Sequence, residues 1–177
     1  MRVLRRSLLL PLFALVLLPI VMVPPAGNFP LNDDWVYATP VKSLLDGHGY
    51  VAHPYRAAYG IFQAYWGAAF CLAFGYSYTV LRVSTLILAT IAVWLTAKCA
   101  REIGASRNVA LFCGAVLLAN PLFMNLSYTF MTEVPYIASM AASGYFYLRA
   151  LRRGHAVDVL LGSAFAVLAF GNRQYGV

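Results

Sequence analysis

The chain has 177 residues, of which 62% are hydrophobic and only 11% charged, with a mean hydropathy of +0.71. Ordinary soluble domains are about 45–50% apolar and about 25% charged, so a soluble globular protein is excluded, together with disorder, coiled coil and collagen. Thirteen Lys and Arg against six Asp and Glu give a net charge of +7, but the basic residues stand in short clusters between apolar runs, which is a membrane-topology signal and not a nucleic-acid surface.

A spanning helix needs about 20 mainly apolar residues. In chain order the candidate runs are 7–23, 57–76, 80–97, 109–124, 134–147 and 157–170. The first follows Arg2, Arg5 and Arg6, as a signal peptide would, but its exit Pro24-Pro25-Ala26-Gly27 is a poor cleavage site and further runs follow, so it reads as an uncleaved first helix.

Charge decides how many runs cross, because each topology assigns every basic residue to one side. If all six cross, the inside holds Arg2, Arg5, Arg6, Arg82 and Arg173, five of thirteen. If the run at 57–76 enters and leaves on one face, the inside holds Arg2, Arg5, Arg6, Lys98, Arg101, Arg107, Arg149, Arg152 and Arg153, nine of thirteen. The expectation is therefore an all-α polytopic membrane protein with five spans, at about 7–24, 80–98, 109–125, 134–149 and 157–171, and one outer loop with interfacial helices at 26–79.

Within that loop, Val36, Tyr37, Val41, Leu44 and Leu45 share one helical face opposite Asp34, Lys42, Ser43 and Asp46, with Gly47 as a stop. This predicts a helix lying in the membrane interface, and Pro40 argues for a start only at Thr39. The stretch from His53 to Tyr78 is dense in aromatics, among them Tyr55, Tyr59, Tyr65 and Trp66, which suits a headgroup-level element that does not cross. Cys71, Cys99 and Cys113 lie in or beside apolar runs without metal-ligand spacing and read as buried thiols.

Ionisable groups near lipid are costly, so the six acids carry the information. Asp46, Glu102 and Asp158 sit at helix ends and read as structural. Asp33 and Asp34 are adjacent just past the first helix, where Asn32 or Asp33 would equally serve as a helix cap. Glu133, in Thr132-Glu133-Val134-Pro135 at the start of the fourth span, falls on the same outer face under the five-span topology and on the opposite face under six. Arg56, Arg82 and Arg173 belong to that outer face too, although Arg82 and Arg173 could simply snorkel. A carboxylate in such a place can act as general base toward an acceptor hydroxyl or amine, and arginine can clamp a phosphate leaving group. The three carboxylates would also suit a divalent cation, and the sequence leaves that open.

The ordered set of features resembles the amino-terminal part of a GT-C glycosyltransferase of the family 39 type, which includes protein mannosyltransferases, the lipid A aminoarabinose transferase and the Rgt-type transferases. The resemblance rests on a basic start and first helix, then Asp33-Asp34-Trp35-Val36-Tyr37-Ala38, a stop at Asp46-Gly47, the run with Pro54, Tyr55, Tyr65, Trp66, Gly75 and Arg82, then Thr132-Glu133-Val134-Pro135, and Arg173 to Gly176. The pair here is Asp-Asp where mannosyltransferases have Asp-Glu, and His53-Pro54-Tyr55 stands where the lipid A enzyme has Lys-Pro-Pro.

The resemblance implies transfer of a sugar, with inversion, from a polyprenyl-phosphate donor to a lipid, glycan or protein acceptor. The site would face the periplasm or outside of a bacterial inner membrane, with a cytoplasmic amino terminus. It implies catalytic Asp33 and Asp34, with Glu133, Arg82, Arg173, Tyr55 and Arg56 binding substrate. Membrane lipids and the lipid-linked sugar are the expected partners, with no nucleic acid; beyond the donor no cofactor is firmly expected, and a divalent metal stays open. Family members carry more spans, so the end at Val177 leads one to expect a fragment, inactive by itself. A transporter using the three acids for protons or ions, and a non-catalytic membrane scaffold, are the alternatives; acids at helix ends beside a long loop favour surface chemistry over transport.

Overall fold

The computed structural model describes residues 9–174. Arg2, Arg5 and Arg6 of the basic start, and Gly176 of the last motif, lie outside the described residues. Among those described there are eight helices and no strand: α1 (Leu9–Met22), α2 (Asp34–Leu45), α3 (Ile61–Phe74), α4 (Tyr78–Glu102), α5 (Arg107–Ala119), α6 (Pro121–Ser127), α7 (Glu133–Arg153) and α8 (Ala156–Asn172). The described residues form an all-helical fold.

Local chemistry sets the helix ends. Ser77 and Ser106 cap α4 and α5, their Oγ atoms accepting from the Val80 and Val109 N–H groups at 3.1 and 3.3 Å. Asn120 caps α6 by accepting from Leu122 and Phe123 at 2.9 and 3.1 Å, with Pro121 in the first turn where no N–H is needed. That Asn-Pro step breaks the expected continuous span at 109–125. The residue before proline is driven to extended backbone, and α5 and α6 meet at 69°.

Among the described residues, one helix, α4, is long and apolar enough to cross a membrane, or two elements if bent α5–α6 counts as one. At about 1.5 Å per residue, the 25 residues of α4 reach roughly 38 Å, whereas the 14 of α3 reach only about 21 Å. The outside of the bundle is apolar, and Met22, Phe112, Leu160 and Val167 are each more than half exposed.

Two ends of the bundle are distinguished by their bonds. At one end Glu102 of α4 pairs with Arg152 of α7 at 3.0 Å, and Arg149 of α7 pairs with buried Asp158 of α8 at 3.0 Å. Lys98, Arg101, Arg107 and Arg153 belong to the helix ends that meet there. At the other end, α1 leads out to Gly27, whose N–H donates to Thr79 of α4 at 3.2 Å, and there α2, α3 and the 128–132 turn assemble. α3 starts against the last residue of α8, the Gly60 N–H donating to the Asn172 carbonyl at 3.1 Å, and it ends one turn before α4 begins. Both of its ends therefore lie at this second end, and α3 does not carry the chain across the bundle.

The core is in two parts. One joins α1, α4, α5 and α7 around Ala92, Val93, Ala110 and Val134; the other lies under the loop and joins α2, α3 and the start of α4 around Val41, Ala64, Leu81 and Phe130. Gln63, Ala64, Gly67, Ala68 and Cys71 form the buried stripe of α3 at helical spacing. A Cβ at Gly67 would stand 2.6 Å from the ring of Phe130, so only glycine allows that crossing.

α2 departs from expectation in two ways. It begins at Asp34, not at Thr39, whose hydroxyl bonds back to the Trp35 carbonyl at 3.0 Å inside the helix. Asp34 itself is fully buried instead of lying on a solvated polar face, because it anchors the start of α2 to the 128–132 turn.

Candidate active site

The two adjacent acids have opposite surroundings. Asp33 occupies the N-cap position of α2 but its side chain makes no cap bond, and the residue is exposed. Asp34 is buried, its Oδ1 accepting from the Phe130 N–H at 2.8 Å and its Oδ2 from the Leu31 N–H at 3.2 Å, with Arg82 Nε 3.9 Å away. Burial raises the Asp34 carboxyl above its ordinary value, against the opposing pull of the two N–H donors and Arg82.

Arg82 is as buried as its partner. Its Nη1 donates to the Gly27 carbonyl at 2.8 Å, its Nη2 donates to the Phe29 carbonyl, and the guanidinium lies over the Phe29 ring. An arginine so engaged braces the exit of α1 and does not snorkel.

Glu133 and Arg173 meet directly. Arg173 Nη1 donates to Glu133 Oε1 and, at 3.3 Å, to the Thr132 hydroxyl. Both side chains are part-exposed, and the pair joins the first residue of α7 to the residue following α8. Glu133 lies three residues beyond the Phe130 that Asp34 holds, so the acid pair and the Glu133–Arg173 pair border the same turn.

The loop before α3 supplies the other two residues singled out. Arg56 lies over the Tyr59 ring and donates to the His53 carbonyl at 3.3 Å. Tyr55 is exposed and packs beside His53 and Trp35, so it stands near α2 at the acid pair. No bond joins either residue to Glu133 among the contacts described.

Both oxygens of Asp34 already accept from N–H groups, and no three of the His, Cys, Asp and Glu side chains gather at ligand spacing among the described residues.

Sequence reading missed Gln63 and Asn172, both fully buried. Gln63 Nε2 donates to the Phe130 carbonyl at 2.7 Å and its backbone N–H donates to Asn172 Oδ1 at 3.1 Å. The signal that could have found them is a polar amide within or at the end of an apolar run, where an uncharged polar group also costs free energy to bury.

Neither a curated protein nor a solved structure matches the chain. A sequence model of the dolichyl-phosphate-mannose-protein mannosyltransferase family matches residues 53–177, taking in α3 to α8 with Gln63, Glu133, Asn172 and Arg173, while α2 and the acid pair precede the matched stretch. With more than half of the chain covered, and the ordered motifs leading to the same place, this protein belongs to that family of GT-C glycosyltransferases.

Proposed function

We propose that the chain forms the reacting end of a polytopic membrane glycosyltransferase, which moves a sugar from a polyprenyl-phosphate donor to a lipid, glycan or protein acceptor at the outer membrane face. The family supports the sugar and its carrier. The apolar exterior supports the membrane setting, since exposed apolar surface of that extent marks contact with lipid or protein. The single observation that carries the site is that Asp34, next to the exposed carboxylate Asp33, holds the Phe130 N–H, while the Arg173–Glu133 pair stands three residues further along the chain, at the end of the bundle away from the basic clusters.

In this reading the acceptor oxygen forms a bond to the anomeric carbon as the bond from that carbon to the phosphate oxygen breaks. Asp33 takes the acceptor proton, and the lipid phosphate leaves with the bonding pair. Arg173, oriented by Glu133 and Thr132, stabilises that phosphate, with Arg56 close in the chain to the same end. Direct displacement inverts the anomeric centre. Asp34 and Arg82 hold Asp33 in place and do not react. Exposed Tyr55 with Trp35 offers the acceptor an aromatic wall beside Asp33.

The reading is tested in lipid vesicles with the native protein that carries this chain, given radiolabelled dolichyl-phosphate mannose and mixed lipid and peptide acceptors. Label is expected to move to an acceptor; its retention on the donor, with every acceptor tried, would count against transferase function. Sidedness is tested separately in intact vesicles, by cysteines placed around Thr129, at exposed Asn125, and near Gly104, at exposed Ile103. A membrane-impermeant thiol reagent is expected to reach them from opposite sides, and labelling from one side only would overturn the five-span topology.

A further inference from the structure

α3 begins without a cap of its own. Gly60 occupies the N-cap position with φ +63° and has no side chain, so the N–H groups of the first turn need an acceptor from elsewhere. That acceptor comes from 109 residues away: the Asn172 carbonyl takes the Gly60 N–H at 3.1 Å and the Asn172 Oδ1 takes the Gln63 N–H at 3.1 Å. Asn172 is the last residue of α8 and fully buried, so one residue both closes α8 and caps α3.

Gln63 then reaches the other way. Its Nε2 donates to the Phe130 carbonyl at 2.7 Å, and the Phe130 N–H is held by Asp34 at 2.8 Å. Gln63 thus grips residue 130, three positions before Glu133, and residue 172, one position before Arg173. The fit around it is close, since a Cβ on Gly60 would stand 3.2 Å from Thr132 Cγ2, 3.4 Å from Tyr37 and 3.5 Å from Gln63 Oε1. Thr132 is the residue that shares Arg173 with Glu133.

Two buried amides are a poor means of stability alone. Gln63 Oε1 and Asn172 Nδ2 are both buried without a protein partner, and an apolar pair of the same volume would not carry that cost.

We propose that Gln63 and Asn172 are positioning residues for the Glu133–Arg173 pair, with α3 acting as the brace that fixes α7 and α8 at the distance the pair requires. Neither touches the substrate; they act through the 130–133 turn and the end of α8. The kinetic part of this inference rests on the transferase reading above, and the structural part does not.

The test uses the full chain in lipid nanodiscs with three variants: Gln63→Met, which keeps volume and loses the donor; Asn172→Leu, which loses the cap; and Asn172→Asp, which keeps the capping oxygen. Hydrogen exchange is expected to accelerate about ten-fold or more at residues 60–64 in Asn172→Leu and at 128–134 in Gln63→Met, with Asn172→Asp close to the parent. With dolichyl-phosphate mannose as donor, kcat/KM is expected to fall about ten-fold or more in the first two variants and to recover in Asn172→Asp, since small misplacements of a binding group are costly. Should Gln63→Met not fold, the contrast between the two Asn172 variants carries the same test. Unchanged exchange at 128–134 and 60–64 overturns the proposal whatever the activity. Faster exchange with full activity also overturns it, leaving the amides as bracing only. If the native protein that carries this chain transfers no sugar, the transferase reading fails and the exchange data alone decide whether the brace exists.

Discussion

An Asp33→Asn variant is expected to lose about 10²- to 10⁴-fold in the rate of sugar transfer while melting with the parent chain. The asymmetry follows from its surroundings. Asp33 is exposed at the head of α2 and makes no cap bond, so the amide forfeits no contact on which the fold depends. What it forfeits is the capacity to take a proton from an acceptor hydroxyl. Initial rates with dolichyl-phosphate mannose, together with a melting curve in the same lipid, separate the two effects. Full activity in Asp33→Asn would end the assignment of Asp33 as general base, and a large drop in melting temperature would mean that its role is structural.

For Asp34 the expected loss is in the fold. Asp34→Ala removes the acceptor from two buried N–H groups, those of Phe130 and Leu31, and strips Arg82 of its carboxylate neighbour. Breaking a buried pair of this kind costs about 3–5 kcal/mol, because the groups left behind are still desolvated. Asp34→Asn keeps an oxygen for Phe130 but turns an NH₂ toward the Leu31 N–H, and about 1–3 kcal/mol is expected. Denaturant or thermal unfolding in lipid measures both; a loss in Asp34→Ala below that of Asp34→Asn would contradict the bonding described.

The same group gives a pH dependence of definite sign. Burial raises the folded-state value of Asp34 above the ordinary 3.8, so between 3.8 and the raised value the folded protein binds the proton that the unfolded chain has released. The contribution of Asp34 to stability is therefore full below pH 3.8, declines as pH rises through that window and is constant above it. In Asp34→Asn this slope should be missing, so it should appear in the difference between parent and variant.

How much was legible beforehand varies by residue. The apolar runs located most of the helices to within a few residues, because a helix next to lipid or core must carry a long apolar stretch and Ser77, Ser106 and Gly154 mark ends by local chemistry. The α5–α6 break was legible as Asn120-Pro121 but was covered by the apolar count, which is blind to backbone direction. Of the acids, Glu102 and Asp158 took the structural roles their positions suggested, each with an arginine of α7. Asp34 was misplaced on a solvated face, because helical periodicity assigns a face by the majority of its residues and a single buried carboxylate goes against that vote.

The sequence by itself determined that the chain is helical and lipid-like in composition, and its ordered motifs pointed to the family. These properties are sums over residues or short local patterns, so no partner distant in the chain is needed to read them. Only the tertiary structure decided which acid is exposed and which is buried, that Arg82 braces a loop while Arg173 meets Glu133, and that Gln63 and Asn172 matter at all. Each depends on a bond spanning between 40 and 109 residues, as in Arg173 to Glu133, Arg82 to Phe29, Asp34 to Phe130 and Gln63 to Asn172. A hydrogen bond needs its two atoms within about 3 Å at a workable angle, and that geometry exists only once the helices have packed.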